Sequence, residues 1–189
     1  MDRRTELLTS AYEIIGREGI EGLHARAIAA ALNLNHATVH YYFPTRSDLL
    51  CALVDYAEER FLKDREKVIS QATEPVQRLE AEIALYEAYC RPQSRFFRVW
   101  TAMFTASHTN EKLRERLQRL SNTFVQRFAE NKNLASYSRT LSQGPLSDPY
   151  VFISTMLGLG LMAQLHNNRD ETSDKIDAIV STMMGSPVE

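Results

Sequence analysis

Apolar residues recur at the three- and four-residue spacing of an α-helix along almost all of this 189-residue chain, and this periodicity limits the fold more than any other feature. No stretch shows the sustained alternation of apolar and polar residues that indicates a half-buried strand. Hydrophobic residues make up 44% of the chain and charged residues 24%, which is typical of a folded globular protein. The sequence therefore predicts an all-α protein of about nine helices.

Three of these helices are expected within the first 48 residues. The first runs from about Arg4 to Glu18 and ends near Gly19, whose missing Cβ suits a left-handed cap. Two much shorter helices follow over residues 26–32 and 36–42. Their lengths and spacing are those of a helix-turn-helix.

Turn and capping residues surround the second of the short helices. Asn33 tolerates the left-handed backbone of a tight turn, and Asn35 can cap a helix by accepting a hydrogen bond from its first turn. Pro44 disfavours helical geometry in the residue before it and so ends this helix. Thr45 followed by Asp48 has the pattern of a capping box, which predicts the start of a fourth helix.

The rest of the chain is predicted to form a helical body. A long fourth helix extends from Arg46 to Ile69, and five further helices are expected over residues 76–90, 93–106, 110–131, 149–167 and 173–184. Residues 132–147 lack this periodicity, which predicts a long surface loop. Residues 1–48 are expected to form one domain and residues 49–189 a second.

A set of short motifs occupies residues 5–50. It consists of Ala11-Tyr12, Gly16 to Gly19, Arg26-Ala27-Ile28-Ala29, Asn33-Leu34-Asn35, Thr38 to Phe43, Arg46 and Leu49-Leu50. As a set, these motifs resemble the DNA-binding head of the TetR family of transcriptional regulators. The resemblance covers about a quarter of the chain, and the helical remainder matches the family's ligand-binding body in architecture only.

The resemblance implies a one-component regulator that has no cofactor and no enzymatic activity. Such a protein binds a palindromic operator in double-stranded DNA as a homodimer, and as a repressor it leaves the operator when a small-molecule effector binds. An activator is compatible with the same sequence. A helical enzyme and a protein-binding adaptor that uses the same helical hairpin are the alternatives outside this class.

The resemblance also assigns roles in DNA binding. It places His36, Ala37 and Thr38 at base edges in the major groove, which is about 12 Å wide. Ala37 is small enough to let the helix approach the bases, and Thr38 can contact a thymine methyl group or donate a hydrogen bond. The residues that it places at phosphates are His40, Tyr41 and Arg46.

Four positions depart from the pattern of the family. Asn33 and Asn35 stand where glycine and serine are usual, and they preserve the turn and the cap because asparagine suits both. His24 and His40 stand where threonine and tyrosine are usual. They change the chemistry, because the charge of an imidazole depends on pH and that of a hydroxyl does not.

The charge of the head counts against DNA binding. Residues 1–50 contain five arginines and six acidic residues, which leaves a net charge of −1 with neutral histidines. Arg3 and Arg4 on a free amino-terminal arm, with Arg26 beside the recognition helix, are expected to meet phosphates while the acidic residues face elsewhere. Non-specific DNA binding should therefore be weak.

Apolar faces on the last two helices predict a dimer interface. A helix-turn-helix reads one half-site, so a two-fold symmetric dimer is expected. Gly158 and Gly160 permit close helix approach, although the same faces also suit the core of a monomer. The residues expected at the interface are Phe152, Met156, Leu159 and Ala163 on the eighth helix and Ile176, Ile179, Val180 and Met183 on the ninth.

Aromatic residues are unusually dense in the fifth to seventh helices. Effector cavities are apolar with few polar groups, and the family commonly has one in this region. The residues expected to contact the effector are Tyr86, Cys90, Phe97, Trp100, Phe104 and Phe124. Charge is scarce along these faces, so a neutral or weakly polar ligand is expected. Each of these side chains also suits simple core packing.

Two motifs match other functions but lack the necessary context. Gly158 to Ala163 fits the GxGxxG/A dinucleotide fingerprint, yet it lies inside a helical run and not in a turn between strand and helix. His36 and His40 have the spacing of a helical metal pair, but no third ligand is evident. No nucleotide site and no metal centre are expected.

Neither secretion nor a membrane span is predicted. The basic residues at the start of the chain are not followed by an apolar run, and the longest apolar run, Val151 to Leu165, is shorter than the ~18 to 20 residues that cross a bilayer. Cys51 and Cys90 form neither a CxxC pair nor a disulfide framework, which suits a reducing compartment. The cytoplasm is the expected location.

Overall fold

The computed structural model describes residues 2–73, 75–91, 94–130 and 148–165, together with residues 174 and 178. These residues form α-helices and no strand, which confirms the all-α prediction. The helices are α1 (Arg3–Glu18), α2 (Ala25–Ala31), α3 (His36–Tyr42), α4 (Arg46–Ile69), α5 (Pro75–Cys90), α6 (Arg95–Ser107), α7 (Glu111–Glu130) and α8 (Pro149–Leu165). A 3₁₀ turn over Ile20–Gly22 joins α1 to α2. The predicted loop over 132–147, and the ninth helix except for residues 174 and 178, lie outside the described residues.

Both ends of α1 are fixed by local hydrogen bonds. The carboxylate of Asp2 accepts a hydrogen bond from the main-chain N–H of Thr5 at 2.8 Å, so the helix begins at Arg3. At the other end Gly19 has a positive φ of 77°, as expected of a glycine cap, but its ψ of −173° lies outside the left-handed helical region that the sequence predicts. Its N–H donates to the Ile15 oxygen at 2.9 Å. The expectation of a free arm carrying Arg3 and Arg4 is therefore wrong, because Asp2 extends the helix to include both residues.

The turn between α2 and α3 has the geometry that the sequence predicts. Asn33 adopts a left-handed conformation with φ of 54°. The side-chain oxygen of Asn35 accepts a hydrogen bond from the main-chain N–H of Ala37 at 2.9 Å and so caps α3. Asn33 thus makes the turn and Asn35 caps α3, as the sequence predicts.

The capping box at the start of α4 is also confirmed. The main-chain N–H of Thr45 donates to the Asp48 carboxylate at 3.0 Å, and the N–H of Asp48 donates to the Thr45 hydroxyl at 3.1 Å. The capping box therefore fixes the residue at which α4 begins, and this limits how far the short α3 can extend.

The chain forms two compact units. The first contains residues 1–61 and 95–119, and the second contains residues 62–94 and those from 120 onward. Apolar side chains from α1, α2, α3 and α4 form the core of the first unit, with Leu7, Ile15, Ile28, Val39 and Leu53 almost fully buried. The predicted division between residues 48 and 49 concerns function, and it remains a prediction.

Helix α6 packs against α1 in the first unit at a glycine. A Cβ on Gly16 would lie 3.0 Å from side-chain carbons of Arg95, so the Arg95 side chain would have to move by a few tenths of an ångström to admit a larger residue. Arg95 forms an ion pair with Glu13, and Arg98 donates to the Gly16 oxygen at 3.3 Å.

In the described part of the chain, no helix is both long and apolar enough to span a membrane.

Candidate nucleic-acid interface

One face of α3 is buried and the other is exposed. Val39 and the following Phe43 pack in the core of the first unit, so the opposite side of this two-turn helix faces outward. His36, Ala37 and His40 are exposed on that side, Tyr41 is 81% exposed, and Thr38 is half-buried. These five are the residues that the sequence predicts for α3, and the structure brings them together on one surface, which we call the α3 face.

Two imidazoles lie on successive turns of the α3 face. The rings of His36 and His40 are 6.1 Å apart between centroids, and their planes are nearly perpendicular at 88°. No hydrogen bond or ion pair joins either ring to another part of the described chain. Beside them the exposed Tyr41 ring meets Tyr42 edge to face at 5.2 Å.

Arg46 is held by main-chain oxygens. Its guanidinium donates to the Leu23 oxygen at 2.7 Å and to the Ile20 oxygen at 3.1 Å. The side chain thereby joins the start of α4 to the connection between α1 and α2. The sequence places Arg46 at a phosphate and gives no sign of this structural role. The phosphate contact remains a prediction.

The other predicted basic residues have different environments. Arg3 forms an ion pair with Glu6 at 2.5 Å. The guanidinium of Arg4 lies 5.4 Å from the centroid of the Phe43 ring, a cation–π contact between α1 and the end of α3. Arg26 is exposed at the start of α2.

Body residues supply positive charge to the head. Lys112 of α7 forms an ion pair with Asp48 at 2.5 Å, and Arg95 of α6 pairs with Glu13. The hydrogen bond from Lys112, together with those from Thr45, lowers the pKa of Asp48 from 3.8 to about 2. Residues 1–61 alone have a net charge of −3. Residues 95–119 add six basic and two acidic side chains, so the first unit as a whole has a net charge of +1. The acidic head is thus compensated by residues distant in the sequence.

Comparison with known proteins identifies the head. The model of the tetR family of bacterial regulatory proteins matches residues 7–53, which contain the helix-turn-helix and the α3 face. Residues 7–53 therefore match the DNA-binding head of the TetR family. The resemblance that the short motifs suggest is confirmed.

The curated relatives are distant in sequence. The nucleoid occlusion factor SlmA of Aliivibrio fischeri is 22% identical over 120 residues, which are 63% of this chain and 61% of SlmA. The HTH-type transcriptional regulator BetI of Brucella canis is 23% identical over 116 residues, which are 61% of this chain and 59% of BetI. The chain thus spans about three fifths of the length of these relatives.

The likeness in fold extends over nearly the whole chain. A transcriptional regulator from Saccharomonospora viridis, solved in complex with choline, has a TM-score of 0.77 and 19% identity, and the match covers 98% of this chain and 97% of the regulator. At this identity the likeness shows the fold. The shared fold therefore includes the body as well as the head.

Three of the residues predicted to contact the effector lie in the first unit. Phe97 and Trp100 are buried in α6, and Phe104 is 44% exposed. The Trp100 ring lies between Phe96 and Phe104, with centroids 5.6 and 5.7 Å away. Its Nε1–H is buried and donates to no acceptor in the described part of the chain.

The other three predicted effector residues lie in the second unit. Tyr86 meets Phe152 edge to face at 6.0 Å, and Phe124 is half-buried. The thiol of Cys90 is buried, and its sulfur lies 3.7 Å from the Met156 oxygen, to which it donates. Burial raises the pKa of this thiol to about 12, which makes it an unreactive core residue at neutral pH.

Three of the four dimer residues predicted on α8 are buried against their own chain. Phe152, Met156 and Ala163 are buried within the second unit, and Leu159 is half-buried. Helix α8 is apolar on all sides, so its periodicity does not distinguish the inner face from the outer. The apolar residues that the structure exposes are instead Tyr150, Val151, Leu161, Met162 and Leu165. The predicted interface residues Ile176, Ile179, Val180 and Met183 lie outside the described residues.

Proposed function

We propose that this TetR-family protein is a transcriptional regulator that binds double-stranded DNA through the α3 face. The observation that carries the proposal is that four DNA-compatible side chains of a short helix are exposed, with Thr38 half-buried beside them, while Val39 is buried in the core. Seven residues of α-helix extend about 10 Å, which fits a major groove about 12 Å wide. Large exposed rings such as Tyr41 on a rigid helix are typical of a surface that binds a partner.

Individual roles follow from position on the α3 face. His36, Ala37 and Thr38 lie at the amino-terminal end, where recognition helices contact base edges. His40 and Tyr41 lie one turn further on, where we place phosphate contacts. Arg26 at the start of α2 supplies a further phosphate contact, and Arg3 and Arg4 do so from the first turn of α1.

Electrostatics supports the assignment once the whole first unit is considered. Four of the six acidic residues in the head form ion pairs, and two of their partners, Arg95 and Lys112, come from the body. Electrostatic repulsion between this unit and DNA is therefore weaker than the net charge of −1 for residues 1–50 indicates. The remaining positive charge is modest, so we expect specificity to come from the fit of α3 in the groove.

We also propose a homodimer that forms through the exposed face of α8. Residues 150, 151, 154, 158, 161, 162 and 165 follow one side of this helix, and five of them are large and apolar. Ser154 and Gly158 lie at the centre of the row, and the space beside Gly158 is open. Small central residues let the same helix of a second copy approach closely. Leu165, which is 69% exposed at one end of the row, would become buried in that contact. Two copies related by two-fold symmetry would read a palindromic operator.

An effector site in the first unit completes the proposal of a ligand-released repressor. Trp100 offers an apolar ring with a buried N–H that lacks an acceptor, and Phe104 beside it is exposed. We propose that a neutral or weakly polar small molecule with a hydrogen-bond acceptor binds there and weakens DNA binding. The choline bound by the regulator from Saccharomonospora viridis supports small-molecule binding by this fold. Tyr86, Cys90 and Phe124 as effector contacts remain predictions.

We place such a regulator in the cytoplasm, where its DNA is.

Selection from random duplexes tests the proposed function. The purified full chain is incubated with a pool of random double-stranded DNA, and bound molecules are sequenced over several rounds. We expect enrichment of a palindromic site, and less enrichment of any one sequence with Thr38→Ala. A protein-binding adaptor would enrich nothing. Transcription from a template carrying the enriched site then separates a repressor from an activator.

A further inference from the structure

The His36–His40 pair has the form of a metal chelate. Four residues advance an α-helix by about 6 Å and by slightly more than one full turn, so the two side chains project in nearly the same direction. The structure places the ring centroids 6.1 Å apart, with both residues exposed. Within the described chain neither imidazole has a hydrogen-bonding or charged partner that would have to be displaced.

Imidazole nitrogen is a preferred ligand for Zn²⁺, Ni²⁺ and Cu²⁺. An ion about 2.0 to 2.1 Å from each nitrogen would lie between the two rings, and modest rotation of exposed side chains brings one nitrogen of each toward it. Among the described residues, no group of three or more His, Cys, Asp or Glu side chains is placed so that it could hold a metal ion. The pair therefore differs from a closed structural centre, in which the protein supplies every ligand.

We propose that His36 and His40 chelate one divalent transition-metal ion on the α3 face, with water completing its coordination. The imidazoles must be neutral to bind the ion, so metal and protons compete for the same nitrogens. A two-point chelate across one turn also joins residues of α3 that only the backbone joins in the metal-free protein. Metal binding should therefore stabilise this short helix.

A regulatory consequence rests on the proposed function. The same two rings are the groups that we place at base edges and phosphates, so a hydrated ion held between them withdraws both from the DNA. By reciprocity of linkage, operator binding must weaken metal binding by the same factor. Metal would thus release the protein from its operator independently of the effector site in α6.

Calorimetric titration of the full chain with Zn²⁺ at pH 7.5 tests the site without DNA. We expect one ion per chain, and loss of that binding in His36→Gln and in His40→Gln. His24→Gln and His108→Gln are matched controls, because both residues are exposed histidines outside α3. Circular dichroism checks that the variants fold. Unchanged Zn²⁺ binding in both α3 variants, or equal loss in the controls, would overturn the site.

A second titration tests the link to DNA. With the selected duplex, saturating Zn²⁺ should weaken binding by about tenfold, within the usual range of allosteric coupling, and EDTA should restore it. The double variant His36→Gln, His40→Gln should show no Zn²⁺ effect. Unaltered DNA affinity with a confirmed chelate would overturn the regulatory claim. If no duplex is selected, the proposed function fails, and calorimetry still decides the chelate.

Discussion

The guanidinium of Arg46 donates a hydrogen bond of 2.7 Å to the main-chain oxygen of Leu23. These residues are 23 positions apart, and α2 and α3 lie between them in the sequence. The bond closes this segment into a loop whose ends are tied together, with a second bond to the Ile20 oxygen at 3.1 Å. Arg46 therefore helps to hold α3 in place from its carboxy-terminal side.

Replacing Arg46 should reduce the stability of the fold more than it changes the electrostatic attraction between the protein and DNA. We expect Arg46→Ala to lower the melting temperature, because hydrogen bonds to charged groups contribute about 1.5 to 3 kcal/mol when buried and less at a partly exposed site such as this. Operator affinity should fall with it, while the dependence of log Kd on log salt concentration stays as in the wild type. Thermal denaturation and DNA titrations at several salt concentrations measure both.

Arg26→Ala is the matched control for that experiment. Arg26 is exposed on α2 and has no hydrogen-bonding or charged partner in the described structure, so its loss should leave the melting temperature unchanged. The salt dependence should decrease by about one unit per half-site if it contacts a phosphate. If Arg46→Ala instead gives this second pattern, Arg46 contacts a phosphate and the structural role assigned to it is wrong.

The Asp48–Lys112 ion pair predicts an acid-sensitive component of stability. The pKa of Asp48 is lowered from 3.8 to about 2 in the folded protein, chiefly by the hydrogen bond from Lys112. A lowered pKa stabilises the fold above pH 4, and this contribution disappears as the pH falls from about 4 to about 2. Asp48→Asn should melt at a lower temperature than the wild type at pH 6, and the difference should shrink toward pH 2. Lys112→Ala should reduce the same component, and a difference that is constant with pH would contradict the assignment.

The exposed face of α8 can be tested separately from its buried face. Leu161→Asp and Met162→Asp should give a folded monomer of 21.6 kDa, because each places a carboxylate in the proposed dimer contact. Met156→Asp should instead destabilise the fold, because Met156 is buried within the second unit. Light scattering gives the mass and circular dichroism the folding. A Leu161→Asp protein that keeps twice the wild-type chain mass would exclude this face as the interface.

The imidazoles on the α3 face predict that DNA binding depends on pH. Histidine changes its charge near neutral pH, and phosphates favour the cationic form. Without metal, operator affinity should therefore be higher at pH 6 than at pH 8. His36→Gln with His40→Gln should remove most of this dependence, and His24→Gln should not. Identical pH profiles for the wild type and the double variant would exclude protonation of these rings.

Local interactions account for what the sequence predicts correctly. The bounds of α3, the left-handed Asn33, the Asn35 cap and the Thr45–Asp48 capping box all depend on residues within five positions of one another. The Asp2 cap of α1 is equally local, and its pattern would have predicted the early start of that helix.

Contacts between distant residues were beyond the reach of sequence patterns. Arg46 meets the Leu23 oxygen across 23 positions, and Lys112 meets Asp48 across 64. Neither pair leaves a periodic or spacing signal, so the sequence predicts a head with an unfavourable net charge. The inner face of α8 was likewise unpredictable, because a helix that is apolar on every side gives no preferred direction.

A single substitution on the α3 face tests the central claim most directly. Ala37 is exposed in the first turn of α3, where an acidic residue suits the helix dipole, so Ala37→Glu should fold as the wild type does. In the DNA complex its carboxylate would face the groove, and such a like-charge contact costs several kcal/mol, so affinity for the selected duplex should fall by about a hundredfold. Fluorescence anisotropy with labelled duplex gives the affinity of both proteins. Equal affinity of the wild type and a folded Ala37→Glu protein would contradict the assignment of α3 as the DNA-reading helix.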